Sequence, residues 1–391
     1  MSTISRAPNL PGRLAALDGL RGVAALAVLC YHFFCAFAPG LIPGETEHPL
    51  WIAYTPIGIL FNGHFAVSIF FVLSGFVVAR AAAKSGDPFY VNIPLRYLRL
   101  ALPATASVIF AWVALSVIPD AANRLSEVIP SPWLSDTFQQ RMPDFFHALY
   151  DGMVGIFRKG GSYFNNALWT MKLEAIGSIA IYLVYGIASG WRRRLIVLLI
   201  GVATLFIPQY LCFVLGAMMA DRRPARKLGY VFPIAAFSAG ILLGFPGRGF
   251  AERLGIPRMP QALTLGDPDG LIPPIAAALI LFAVLNSVSL ARFLSSRIPQ
   301  YLGRVSFPLY LVHVPLIYTV FALAYVSVKP TSGFFVLGLF VAFLACSLAL
   351  ASAGEAWIDK PVIDGIGWAR RELKSRRTSQ PNVAGSPRSR F

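Results

Sequence analysis

Residues 271–290 (LIPPIAAALILFAVLNSVSL) carry no charged side chain. Runs of this kind recur along the chain and constrain it more than any other feature. About 20 apolar residues are enough for a helix to cross the hydrocarbon of a bilayer. In lipid the backbone must satisfy its own hydrogen bonds, which leaves a bundle of helices as the available fold. The pattern predicts spans near 16–38, 62–83, 101–119, 165–189, 195–207, 208–220, 229–246, 271–290, 306–327 and 333–357. The expected fold is therefore all-α, a polytopic membrane protein of about ten transmembrane helices. The pair at 195–220 is short and divided at Pro208, so it also reads as a hairpin that does not fully cross. Residues 50–61 (LWIAYTPIGILF) are apolar but broken by Pro56 and Gly58, as a re-entrant or interfacial piece would be.

Composition supports the membrane class. Only 13% of the 391 residues are charged, against roughly a quarter in soluble domains, and the mean hydropathy is +0.64. The formal charge of +16 does not point to nucleic acid, because the basic residues cluster beside the apolar segments. With ten crossings, Lys and Arg favour one set of alternate loops by roughly three to one, which places both termini in the cytoplasm. The start, MSTISRAPNLPGR, is polar and runs into the first span without a cleavable signal.

The expected organisation is a cytoplasmic segment at 1–13 and a transmembrane domain at 14–361. A basic interfacial helix follows at 362–377, then a disordered tail at 378–391. The longest outer loop is expected at about 120–163. Cys30, Cys35, Cys212 and Cys346 all fall in apolar stretches and read as small buried hydrophobes, with neither disulfides nor a metal site.

One span breaks the apolar rule. RGVAALAVLCYHFFCAF (21–37) has an arginine at its mouth and a histidine within. Arg21 and His32 are eleven positions apart, close to three helical turns, so both project from nearly one face roughly 16 Å apart along the axis. Ionisable groups inside a membrane cost about 2.5–3.5 kcal/mol each on insertion scales and face a bundle interior or a watery cavity. The pair is expected to look into one shared hollow that accepts a long anionic ligand. The guanidinium fork suits its phosphate end. The imidazole, deeper in, suits a general base. Asp18, three positions before Arg21, can also simply pair with it.

LDGLRGVAALAVLCYHF (17–33) resembles the signature of the acyltransferase-three family of integral-membrane O-acyltransferases. FFVLSGFVVAR (70–80) and RYLRLALPA (96–104) are similar to that family's second-span and basic stretches. LWTMKLEAIG (168–177) resembles its aromatic-to-glutamate motif, YLGRVSFPLYLVHVPLI (301–317) its late histidine motif, and WIDKP (357–361) its closing one. The matches come in order and span 17–361.

The resemblance implies transfer of an acyl group, commonly acetyl from cytoplasmic acetyl-CoA, to a hydroxyl, often of a cell-surface or lipid-linked glycan. The setting it implies is a bacterial inner membrane. The acyl-CoA is a substrate, and no tightly bound cofactor is expected. His32 would then take the proton of the acceptor hydroxyl, by direct transfer or through an acyl-histidine. Arg21, Arg96 and Arg99 would hold the CoA phosphates. Glu174 would bind an acceptor hydroxyl or orient His32. Trp169, His313 and Asn165 would line the acceptor site.

Each of these residues has a plainer reading. Arg96 and Arg99 can be ordinary cytoplasmic charges, and Glu174 a buried ion-pair partner. Trp169 can be an interfacial anchor, Asn165 a helix cap, and His313 a core imidazole beside the kink at Pro315. His64 lies off every motif, and Ser74-Gly75 suit close helix packing. A rival class is a polytopic carrier or flippase of a lipid-linked sugar, which also uses intramembrane ionisable groups but favours internal repeats. The sequence has no such symmetry.

Overall fold

The computed structural model describes residues 12–43, 45–46, 49–138, 143–221, 229–244, 270–328 and 332–379. Every regular element among them is helical. Four long helices come first: α1 (Gly12–Phe37), α2 (Gly63–Ser85), α3 (Phe89–Val117) and, after a long connection, α7 (Asn166–Ile187). That connection holds α4 (Ala121–Val128), α5 (Pro132–Thr137) and α6. In α6 a π turn at Asp151–Gly155 joins Phe145–Tyr150 to Ile156–Lys159. Shorter helices follow: α8 (Gly190–Ala203), α9 (Pro208–Ala220), α10 (Val231–Leu243), α11 (Ile272–Asn286) and α12 (Val288–Leu294). Two long helices close the chain, α13 (Arg297–Val328) and α14 (Gly333–Arg376).

The count of ten spans is not met by length. Six helices among the described residues are long and apolar enough to cross: α1, α2, α3, α7, α13 and α14. A seventh exists if α11 and α12 count as one span bent by 97°. The 13 residues of α9 reach only about 20 Å, short of the ~30 Å hydrocarbon core. α10 is equally short. Hydropathy registers apolar character, whereas crossing requires length, so the segments at 195–207, 208–220 and 229–246 read as spans from sequence alone.

Three boundaries also move. α3 starts at Phe89 and carries Pro94 and Pro103 inside it, so Arg96 and Arg99 lie on the helix and not in a preceding loop. The expected outer loop is folded: α6 runs back along α3, with Trp112 Nε1 donating to the Pro143 carbonyl at 3.1 Å and Tyr97 OH donating to the Met153 carbonyl. The basic segment at 362–377 is not a separate helix. A π turn at Glu355–Asp359 carries α14 through it unbroken, so the boundary at 361 falls mid-helix. Arg370 ties this extension to Asn92 Oδ1 at 3.2 Å and to Asp87 at 3.6 Å. Residues 1–11 and 380–391 lie outside the described residues. The stretch 50–61 forms two short 3-10 turns, Trp51–Tyr54 and Pro56–Phe61, divided at Thr55.

Glycines set two close helix crossings. A Cβ on Gly75 would sit 2.2 Å from the Phe213 carbonyl oxygen, and one on Gly216 would sit 2.1 Å from that of Val72. α2 and α9 therefore touch backbone to backbone, as the Ser74-Gly75 pair predicts. A Cβ on Gly22 would meet the Gly303 nitrogen at 2.3 Å, and one on Gly303 the Asp18 oxygen at 2.3 Å. This crossing of α1 and α13 fixes the site. Ten residues beyond it on each helix lie His32 and His313, which touch. Contacts that advance together on both helices mean that α1 and α13 run parallel.

Candidate active site

An open cavity of about 160 Å³ enters the bundle between α1, α2, α3, α7 and α13. Its polar lining includes Arg21, Arg96, Arg99, Glu174, Ser74 and Tyr310. Four of the residues singled out in the sequence thus meet in one place, and each arginine has an acidic partner. Arg96 Nη2 donates to Glu174 Oε1 and, at 3.2 Å, to Ser74 Oγ. Its Nε donates to Ser178 Oγ at 3.3 Å, and Ser74 Oγ donates to the same Glu174 oxygen. Arg99 forms a two-pronged pair with Asp359, at 2.5 and 3.1 Å. Phe307 lies under its guanidinium, 5.3 Å from the ring centre. Arg21 is held most loosely, 3.5 Å from an Asp18 whose side chain is 56% exposed.

The cavity stops short of His32. Phe70 and Tyr310 line its inner end, and the Tyr310 ring stands 5.9 Å from that of His313. His32 lies beyond, its ring centre 5.0 Å from that of His313. Arg21 and His32 share a helix face, but of the two only Arg21 lines this cavity. Tyr310, one turn before His313 on the same face, both lines the cavity and approaches the His313 ring. Glu174 does not orient His32 either. Its carboxylate is committed to Arg96 and Ser74, on the arginine side of Tyr310.

What orients His32 is His313. His32 Nδ1 and His313 Nε2 are 2.8 Å apart, and His313 Nδ1 is 3.0 Å from the Leu309 carbonyl oxygen. A carbonyl only accepts, so His313 Nδ1 carries the proton. In the neutral pair His313 Nε2 is then an acceptor, and His32 Nδ1–H donates to it. That leaves His32 Nε2 with its lone pair free, the form a general base requires. Both rings are buried, His313 completely and His32 with 6% exposed.

The backbone around His313 is held by the kink. Pro315 has no N–H for the Leu311 carbonyl four residues earlier. Two side chains replace it: Ser107 Oγ donates at 2.6 Å and Asn165 Nδ2 at 2.8 Å. Asn165 is fully buried, and its Oδ1 accepts from Ala167 N at 3.1 Å as a helix cap. Its hydrogen-bonding capacity goes to structure rather than to an acceptor pocket. Trp169, at the end of the same 3-10 turn, is half-buried and does not line the cavity. His64 lies 3.4 Å from Tyr31 OH, near the far end of α1.

A family model described as an acyltransferase domain, that of the acyltransferase-three family, matches residues 14–351. The chain belongs to the acyltransferase-three family. It is also similar to the O-acetyltransferase PaAT-1 of Phomopsis amygdali, with 23% identity over 365 residues, covering 78% of this chain and 72% of that protein. No solved structure matches the chain. As an acyltransferase it holds several site residues that sequence reasoning passed over. Asp359 lay within a quoted motif, WIDKP, but its partner is 260 positions away. Tyr310 stands one turn before His313, a spacing that could have marked it. Ser107, Ser178 and Trp133 carry no local signal.

Proposed function

We propose that this multi-pass protein is an O-acyltransferase that moves an acyl group, acetyl in the simplest case, from acyl-CoA to a hydroxyl of a surface or lipid-linked glycan. His32 is the general base, and the setting is a bacterial inner membrane. The observation that carries this reading is the hydrogen-bond chain from Leu309 through His313 to His32, which leaves His32 Nε2 free to accept a proton. The acceptor oxygen attacks the thioester carbonyl as Nε2 takes its proton. The carbon–sulfur bond breaks, and the departing thiolate takes that proton from the imidazolium. The products are the ester and free CoA thiol. His313 holds the tautomer and accepts from Nδ1–H throughout.

The arginine cavity is the donor side in this reading. Its three arginines face three carboxylates, so an anionic donor binds by exchanging partners. Arg21 exchanges most readily, because Asp18 is both distant and exposed. Arg96 and Arg99 are pinned by closer partners and shape the entrance. The inner end at Tyr310 is the point the thioester must pass. Family membership favours this reading over a carrier. One bent helix pair occurs among the described residues, but the paired breaks of a repeat are not found there.

The test is His32→Ala in the purified full chain, with acetyl-CoA as donor. Loss of a positioned base removes about 10²- to 10⁴-fold of turnover, while acetyl-CoA still binds. Full activity in that variant would dismiss His32 as the base. A chain that binds no acetyl-CoA at all would return the carrier reading.

A further inference from the structure

A six-residue helix, α5, brings Trp133 against His32. Three hydrogen bonds seat it, each on a different part of the chain. Ser131 Oγ, at its N-cap, donates to the Cys35 carbonyl at 2.8 Å, on the last turns of α1. Trp133 N donates to Glu45 Oε2 at 3.0 Å, in the connection between α1 and α2. Tyr318 OH donates to Thr137 Oγ1 at 2.9 Å, from the π turn in α13. Between these anchors the Trp133 indole is 7% exposed. It lies 5.2 Å from the His32 ring centre and nearly parallel to Tyr318 at 5.8 Å.

This placement bears on the chemistry. One edge of His32 faces His313. The arginine cavity does not include His32 in its lining, and the residue keeps 6% of its surface exposed. The largest side chain packed against it from outside α1 and α13 is Trp133. An enzyme that cleaves a thioester must keep water, itself a hydroxyl nucleophile in great excess, away from its base, and a dry site serves that end. An indole is broad, flat and apolar, and an aromatic contact of this kind holds by a modest margin beyond its area burial. That is small enough for a ring-bearing hydroxyl compound to displace and enough to exclude a lone water.

Taking His32 as the base, we propose that Trp133 is the acceptor-side positioning residue. It shields the free edge of His32 from water and gives way only to an acceptor large enough to replace it on the Tyr318 and His32 rings. The acceptor class it fits is a hydroxyl carried on a ring with an apolar C–H face, as a pyranoside has. Water and small alcohols are discriminated against by size, and α5 supplies the selection without touching the donor cavity.

The experiment uses the full chain in detergent with Trp133→Ala and Trp133→Phe. Two quantities are measured. One is the rate of His32 modification by diethyl pyrocarbonate, taken as the difference from His32→Ala. The other is acetyl-CoA hydrolysis without any acceptor. Trp133→Ala is expected to raise both by about tenfold, the factor that one lost aromatic contact of ~1.4 kcal/mol corresponds to. Trp133→Phe should lie between, and the KM for acetyl-CoA should not change. An unaltered modification rate in a folded Trp133→Ala chain overturns the proposal. Faster modification with hydrolysis unchanged overturns it as a catalytic device. If His32→Ala also hydrolyses acetyl-CoA at the wild-type rate, the base assignment fails instead, separately from the shielding.

Discussion

Replacing His313 with alanine removes one atom that matters, the Nε2 that accepts from His32 Nδ1–H at 2.8 Å. His313 Nε2 is the partner the His32 side chain has in the structure, and the ring is buried. A buried donor left without an acceptor costs about 1–3 kcal/mol. The ring can relieve that cost only by rotating or by moving its proton to Nε2, and either move takes the lone pair away from the acceptor. The penalty falls on the catalytically competent form, so kcat should fall roughly 5- to 150-fold while the KM for acetyl-CoA stays put. His313→Gln, whose amide oxygen can accept at a similar reach, should recover part of the loss. The decisive measurement is a double-mutant cycle with His32→Ala. Residues that act as a unit are non-additive, so the double variant should be no slower than His32→Ala alone. Multiplying losses in that cycle would show that His313 acts on its own and would refute the relay.

Two further outcomes follow from the packing. Asp359→Asn leaves Arg99 without its carboxylate at the cavity wall, and thermal stability should drop by at most about 3 kcal/mol, since Arg99 keeps some solvent; the exchanged pair Arg99→Asp with Asp359→Arg should recover stability, and a donor KM that also recovers would remove Arg99 from donor binding. Gly303→Ala drives a methyl into the Asp18 backbone, where its Cβ has only 2.3 Å, and overpacking of this kind costs about 1–3 kcal/mol; melting temperature and turnover should fall together, and a variant with native values for both would mean that the α1–α13 crossing tolerates separation.

Much of the arginine cavity was legible in the chain. Arg21, Arg96, Arg99 and Glu174 are charges in otherwise apolar surroundings, and the expense of placing them there marks them. What could not be read was their pairing. Arg96 with Glu174 and Arg99 with Asp359 join positions 78 and 260 apart, and no local pattern encodes a contact between helices so far separated in sequence. The same holds for His313. Its helix and its proline were visible, but its use as the partner of His32 depends on which helix packs beside α1. The surroundings of Arg21 and His32 were hidden for a related reason. A helical wheel says which residues share a face, and Tyr310, which reaches the cavity from another helix, is outside its view. Among the described residues six or seven helices are long enough to cross, because apolar composition is a necessary condition for crossing and length a separate one.

The register of α1 against α13 ties these observations together. Gly22 and Gly303 bring the two backbones into contact, and His32 and His313 each lie ten positions further on. Equal offsets on parallel helices raise both imidazoles by the same ~15 Å, so the crossing delivers them to one level. A slip of one residue on either helix would turn its histidine by about 100° and shift it by about 1.5 Å, which is enough to break a 2.8 Å hydrogen bond. Small residues are what permit so close a crossing in lipid, where helices gain little from burying one apolar surface against another. The glycines at the entrance and the imidazoles at mid-depth are therefore one arrangement: the close contact at Gly22 and Gly303 sets the geometry in which His313 can fix the tautomer of His32.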